Sequence, residues 1–149
     1  MTSFDIRKAS ANDIISIVKM KLQMFEEAGV VMGMNEGDLN QFYQRLYAEE
    51  KAFHFVVQDG GHIVAMAGGF YKDDFPFCLY PNPVYGFIGD VFVNEEYRKL
   101  GIAKKLSTMV MDEFKHNNIT ENRLLASDVA RPIYKNLGFI EAEMMLCHV

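Results

Sequence analysis

Arg98-Lys99-Leu100-Gly101-Ile102-Ala103 follows an apolar run, Tyr85 to Val93, and opens a segment with helical spacing. A strand that feeds a helix N-terminus leaves several backbone N–H groups without intrahelical acceptors. The helix dipole adds partial positive charge at the same place, so such an end takes anions. Arg98, Lys99, Lys104 and Lys105 add formal charge, and Gly101 has no side chain to hold an anion off the main chain. The chemistry these residues point to is the cradling of a phosphate or pyrophosphate.

The elements that must position this segment are readable from hydrophobic period and turn residues. Phe4 to Arg7 alternates as a short strand, and Ser10 with Asp13 makes a capping-box-like helix start before Ile14, Ile15, Val18, Leu22 and Phe25. Gly29 ends that helix, and a second begins near Asp38 with Leu39, Phe42, Tyr43, Leu46 and Tyr47 inward. Phe53 to Val57 and Ile63 to Tyr71 are strands joined by the turn Asp59-Gly60-Gly61. Lys72 to Pro83 is a proline-rich loop, and Tyr85 to Val93 is the fourth strand. Gly101 to Lys115 is an amphipathic helix, Arg123 to Ala126 a short strand, Pro132 to Leu137 a short helix ended by Gly138, and Phe139 to Val149 a last strand. The order β-α-α-β-β-β-α-β-α-β describes a mixed α/β layer fold. The helix after Val93 lets the strand at Arg123 run parallel to Tyr85–Val93, and splaying of that pair would open a groove beside the cradle.

At 149 residues, half of them apolar and 13% aromatic, the chain suits a single domain spanning 1–149 with one sizeable core. No apolar run is long enough to span a bilayer, and MTSFDIRKAS lacks a signal-peptide core, so no membrane partner and a cytoplasmic location are expected. Cys78 and Cys147 are far apart and read as free thiols. A formal charge of −5 argues against nucleic acid as a partner and fits a cationic substrate better than a polyanionic one. No His/Cys/carboxylate cluster suggests a metal.

This element order, with RKLGIA after the strand GDVFV and its turn, resembles the GNAT superfamily of N-acetyltransferases. Arg98, Gly101 and Ala103 match that family's (Arg/Gln)-x-x-Gly-x-(Gly/Ala) pattern, with VFVNEEYR directly before it. LLASDVARPIYKNLGF looks like the family's second signature, a short strand and a helix carrying Tyr134, then Leu137-Gly138-Phe139. Looser similarity covers the rest, including the helix ending MFEEAG. The resemblance implies a mostly antiparallel sheet with a parallel splayed pair at strands four and five, flanked by helices, and acetyl-CoA as the acyl donor. It places the pantetheine arm and thioester along Val91 to Val93, with Phe92 beside the acetyl site. It places the pyrophosphate on the amides of Arg98, Lys99, Leu100, Gly101, Ile102 and Ala103, with Lys104 nearby. Ser127 stands where many relatives have an asparagine that contacts the cofactor, and Tyr134 matches the tyrosine that faces the departing sulfur.

The implied reaction is direct attack of a primary amine on a thioester. Freeing the lone pair of a lysine-like ammonium at neutral pH costs about 4–5 kcal/mol, so a base must take that proton. Some relatives carry a glutamate base in the middle of strand four. Gly89 takes that place here, and the adjacent Asp90 faces the same side only where a bulge intervenes. Asp90 is the leading base candidate, with Glu26 and Glu27 behind it; alternatively these are solvated carboxylates. Full proton transfer from Tyr134 to the thiolate would be uphill by about 2 kcal/mol, so hydrogen-bond stabilisation is the competing role. The acceptor, a small amine-bearing molecule, is expected against the first two helices and the Lys72–Pro83 loop, with Phe25, Glu26, Glu27, Phe75 and Tyr85 as candidate contacts. His54, His62, His116 and His148 read as surface or satisfied packing residues. The family usually closes with two strands, but only eleven residues follow Gly138. A free sheet edge there would favour a homodimer. Alternatives are a non-catalytic acyl-CoA-binding sensor and a protein or peptide N-acetyltransferase. A nucleotide-binding protein is disfavoured because no GxxxxGK(S/T) loop is present.

Overall fold

The computed structural model describes residues 4–31, 33–74, 83–142 and 145–148. The elements in chain order are β1 (Asp5–Lys8), α1 (Ile14–Ala28), α2 (Glu36–Ala48), β2 (Ala52–Asp59), β3 (His62–Asp73), β4 (Val84–Val93), α3 (Ile102–His116), β5 (Asn122–Leu124) and α4 (Arg131–Asn136). One sheet of five strands runs in the order β1-β2-β3-β4-β5. Every neighbouring pair is antiparallel except β4–β5, which is parallel, as the crossover through α3 requires.

The helices divide between the two faces. Leu106, Val110 and Phe114 of α3 pack on one face against Phe53, Phe55, Val57, Ala65 and Ile88. Ile14, Ile17 and Val18 of α1, with Leu39 and Tyr43 of α2, cover the other face against Val56, Met66 and Phe92. A strand buried on both sides reads as a continuous apolar run, and Phe53-His54-Phe55-Val56-Val57 is such a run. Removing a side chain such as Phe114 from water contributes about 1.5–3 kcal/mol, so the two cores fix the sheet between helices.

Local signals set the boundaries. The Ser10 N–H donates to Asp13 Oδ2 at 2.8 Å, and a short 3₁₀ turn, Ala11–Asp13, precedes α1 proper. Gly29 ends α1 with φ +69°. Asn35 caps α2, its side chain accepting from the Asp38 N–H at 2.8 Å, so α2 starts two residues before Asp38. Asp59 pairs with His62 around Gly60 and Gly61, both with positive φ, a two-residue primed turn.

One sequence expectation fails. Phe139 to Val149 forms no strand among the described residues, and the sheet ends at the three-residue β5. Phe139 packs on the core beside Tyr134, but beyond it Ile140, Met145 and Leu146 are 88%, 97% and 78% exposed, so these described residues offer no buried apolar face that would hold the segment in a ladder. Phe75, Phe77, Cys78 and Tyr80 lie outside the described residues.

Candidate active site

The middle of β4 carries a bulge. Gly89 pairs with Gly68 and Phe92 with Met66, so Asp90 and Val91 together oppose Ala67. Asp90 takes the left-handed conformation, φ +53°, that this break requires. The extra residue changes the alternation: the Gly89 position, Asp90 and Phe92 all meet the α1–α2 side, while Val91 packs with the α3 core. Asp90 therefore reaches the same side as its neighbour Gly89, the condition its candidate role required.

Asp90 is 6% exposed and fully partnered. Lys21 Nζ donates to Oδ1 at 2.6 Å, and the Tyr43 hydroxyl donates to Oδ2 at 2.5 Å. His54 Nε2 lies 3.0 Å from Oδ2, and the Tyr47 hydroxyl lies 2.7 Å from His54 Nδ1. The contacts match as donors and acceptors with the His54 proton on Nε2 toward Asp90, the Tyr47 hydroxyl donating to Nδ1, and Lys21 balancing the carboxylate. Burial pushes the Asp90 carboxyl up, but His54 and Lys21 outweigh it and hold the group far below the usual carboxylate range. Burial likewise raises Tyr43, with Asp90 adding to the shift. A carboxylate so stabilised is a weak proton acceptor. The arrangement suits a fixed anchor under the bulge better than a general base.

Sequence reasoning does not reach Lys21, Tyr43, Tyr47 or His54 as site residues. A signal existed for Lys21: it continues the apolar stripe of Ile14, Ile17 and Val18, where a cation has no place without a partner. Nothing local marks Tyr43, Tyr47 or His54.

The β4–β5 pairing stops at Ile88–Leu124, whereas β4 continues to Val93. From Gly89 onward the β4 edge facing β5 has no partner strand among the described residues. Beyond it lies the turn to α3. Lys99 and Gly101 both have positive φ, +64° and +77°. Among the described residues, the N–H groups from Lys99 to Lys104 have no backbone acceptor; the first bond into the helix is Lys105 N–H to the Gly101 carbonyl at 3.0 Å. Leu100, Lys104 and Lys105 are exposed, while Ile102 is buried under the helix and Ala103 is half-buried. A Cβ at Gly101 would meet nothing within 4 Å, so the glycine serves the turn's positive φ.

Arg98 closes this end of the strand. Its Nε donates to the Val93 carbonyl at 2.8 Å, its Nη2 to Glu27 Oε2 at 2.7 Å, and its guanidinium lies 5.5 Å from the centre of the Phe92 ring. Glu27 is thus engaged by Arg98, and Glu26 is exposed at the end of α1. Ser127 starts the turn into α4, its carbonyl accepting from the Arg131 N–H at 2.9 Å and its hydroxyl from Ala130 N–H at 3.3 Å.

Tyr134 of α4 is 7% exposed, edge-on to Phe139 with ring centres 5.8 Å apart. Burial raises its pKa, and the nearby Ser107 hydroxyl of α3 partly offsets this. Ser107 Oγ is buried and has no partner in hydrogen-bonding geometry among the described residues. A polar atom orphaned beside a buried phenol is what a site for a further polar or sulfur atom leaves behind.

On the α1–α2 side a cavity of about 600 Å³ reaches Asp90 and Gly89, lined also by Lys21, Phe25, Tyr43, Phe70 and Phe87. Phe25 therefore belongs to the cavity wall. Tyr85 does not: its ring lies under the Arg123 guanidinium at 3.7 Å, toward the Arg123–Asp74 ion pair. A second cavity, about 480 Å³, is polar and away from the bulge, and its Lys8 and Glu113 already pair at 2.6 Å.

The sequence matches the model of the Acetyltransferase (GNAT) family over residues 21–139. The chain belongs to that family. GNAT architecture also appears in the solved structures it resembles. A predicted acetyltransferase with acetyl-CoA from Clostridium acetobutylicum superposes with a TM-score of 0.91 at 23% identity, covering 99% of this chain and 96% of that one. A GCN5-related N-acetyltransferase from Ralstonia eutropha gives 0.84 at 21%, covering 99% of each chain. Glucosamine-6-phosphate N-acetyltransferase from Arabidopsis thaliana gives 0.77 at 19%, covering 99% of each. No curated protein sequence matches. No metal-binding group of His, Cys, Asp and Glu occurs among the described residues of this GNAT domain, and no described helix is long and apolar enough to cross a membrane.

Proposed function

We propose that this GNAT protein is an acetyl-CoA-dependent N-acetyltransferase that moves the acetyl group directly to a primary amine of a small molecule. The observation that carries this reading is continuity. Among the described residues, the β4 edge at Gly89–Val93 has no partner strand; it leads from the cavity at Gly89 to the turn whose amides, Lys99–Lys104, have no backbone acceptor, while the buried Tyr134 lies beside Ser107 of the same helix α3. A relative of the same architecture has been solved with acetyl-CoA.

In this reading acetyl-CoA supplies the thioester. The Lys99–Lys104 amides and the α3 dipole hold its pyrophosphate, with Arg98 fixing the turn through Val93. The free β4 edge orients the pantetheine arm, and the main-chain N–H of Val91 faces the charge that grows on the carbonyl oxygen. The acceptor enters through the α1–α2 cavity. The acceptor's ammonium first loses one proton to solvent in the cavity; the freed nitrogen then bonds to the acyl carbon as the C–S bond breaks and coenzyme A leaves as its thiolate, and the nitrogen's second proton follows the same solvent route. Burial raises the Tyr134 pKa, so its hydroxyl keeps its proton and donates a hydrogen bond to the departing sulfur. Asp90 serves as the anchor that fixes the bulge rather than as the base.

The test is thiol release from acetyl-CoA across a panel of small amines, with coenzyme A affinity measured by calorimetry. The expected result is amine-dependent release. Tight coenzyme A binding without release for any amine would overturn the enzymatic reading in favour of a sensor.

A further inference from the structure

The walls of the α1–α2 cavity carry a charge pattern opposite to that of the chain. The whole sequence has a formal charge of −5. The residues lining the cavity include Lys21, Lys51 and Lys72 but a single carboxylate, Asp90, which Lys21 already neutralises. The other two lysines sit together at the end away from the bulge: the Tyr71 N–H donates to the Lys51 carbonyl at 2.9 Å, so Lys51 and Lys72 flank one point of the β2–β3 ladder. Among the described residues Lys51 makes one ion pair, an exposed contact with Glu49 at 3.4 Å. Lys72 makes no ion pair among the described residues and lies over Phe87, its Nζ 4.7 Å from the ring centre. The wall between these lysines and Asp90 is aromatic, with Phe70, Phe87 and Tyr43.

We infer that the acceptor is a primary amine whose flat apolar body carries an anionic oxygen group, carboxylate or phosphate, at the end remote from the amine. The body lies on Phe70 and Phe87, the anion takes Lys72 and Lys51, and the amine points to the bulge at Gly89–Asp90. The spacing supports this. Lys72 faces Tyr85 and Gly68 faces Gly89 across the β3–β4 ladder. Because Lys72 Nζ leans back over Phe87, two residues from Gly89, the anion and amine ends lie about 7 Å apart at about 3.3 Å per residue. A dication would meet two lysines and no unpaired carboxylate there, and a neutral acceptor would leave the lysines unanswered. The inference rests on the acetyl-transfer reading for the direction of the amine, but the anion seat is measurable without turnover.

The experiment uses the full chain and a matched series: para-aminomethylbenzoate, its carboxamide and para-xylylenediamine, with tyramine phosphate against tyramine as the phosphate arm. The expected kcat/KM is about tenfold higher for the anion than for its neutral or cationic analogue, carried mainly by KM. In Lys72→Met and Lys51→Met/Lys72→Met the ratio falls toward one, and Lys72→Arg restores it. Melting curves check that the variants fold. Whichever arm shows the preference identifies the anion as carboxylate or phosphate. Equal or better use of the amide or diamine, or a preference that survives the double variant, overturns the inference. If no probe is acetylated, the same series is titrated into coenzyme A-loaded protein by calorimetry. Tighter binding of the anionic members then upholds the anion seat while the acetyl-transfer reading falls, and equal binding overturns both.

Discussion

Lys21 reaches from α1 to place its Nζ 2.6 Å from Asp90 Oδ1 on β4, with the two side chains only 17% and 2% exposed. The pair ties a helix to a bulge across 69 positions of sequence. Breaking such a pair from one side leaves a buried charge alone, at a cost of about 3–5 kcal/mol, whereas replacing both partners costs less. Asp90→Asn is therefore expected to destabilise the fold by about 3 kcal/mol, and Lys21→Met with Asp90→Asn by less than the sum of the single changes. Urea unfolding of the four proteins in this cycle measures the coupling; strict additivity would show that the pair does not act as a unit.

Acid should weaken the fold through two carboxyls. Asp13 is held down to about 2, chiefly by the Arg7 guanidinium, which donates to it at 2.7 and 2.9 Å. Asp90 is also depressed, through His54 and Lys21 working against burial. Folded values below unfolded ones mean that the unfolded chain binds more protons at low pH. The stability from these groups is complete above about pH 4 and lost as pH falls through the folded values. Denaturant midpoints are expected to be flat from neutral pH down to about 5 and to drop below 4, with a shallower drop in Asp13→Asn.

Gly68 makes room for His54. A Cβ there would stand 2.8 Å from His54 Nε2, the atom facing Asp90, and 3.0 Å from Phe70. Gly68→Ala is expected to cost about 1–3 kcal/mol and to displace the imidazole, which imidazole nitrogen shifts would report as loss of the Nε2–H tautomer. Gly89→Ala meets its nearest side chain at 3.3 Å, so it should cost less than about 1 kcal/mol. Similar melting points for the two variants would refute this packing account.

Tyr134→Phe should lower kcat by about tenfold to a hundredfold with little change in coenzyme A affinity, because the lost hydroxyl acts on the leaving sulfur alone. Since burial raises the phenol's pKa, its ionisation should impose no fall in kcat up to about pH 10. A stopped assay across pH with calorimetry on the variant checks both statements.

Glu27→Ala should leave stability within about 0.5 kcal/mol of the original, since its ion pair with Arg98 is 43% and 41% exposed. Arg98→Ala should weaken coenzyme A binding more strongly, because the Val93 carbonyl loses its donor next to the cradle. Equal effects of the two changes on affinity would assign the ion pair itself to the site.

The sequence by itself determined the strand-to-helix cradle, because its unpaired amides follow from helix geometry and its glycine from the φ that the turn requires. It also determined the order of elements as far as the short helix at Arg131–Asn136, since hydrophobic period and turn residues are local signals. It left the acceptor side open. Whether Asp90 faced the cavity turned on one extra residue opposite Ala67, and only the ladder with β3 decides that. The Lys21–Asp90–His54–Tyr47 network joins positions on α1, α2, β2 and β4 that no spacing rule relates. The expected last strand needed a buried apolar face, and the packed chain leaves Ile140, Met145 and Leu146 exposed. The donor end was legible because backbone conformation alone builds it, whereas the acceptor end exists only where side chains from four separate elements are packed against one another.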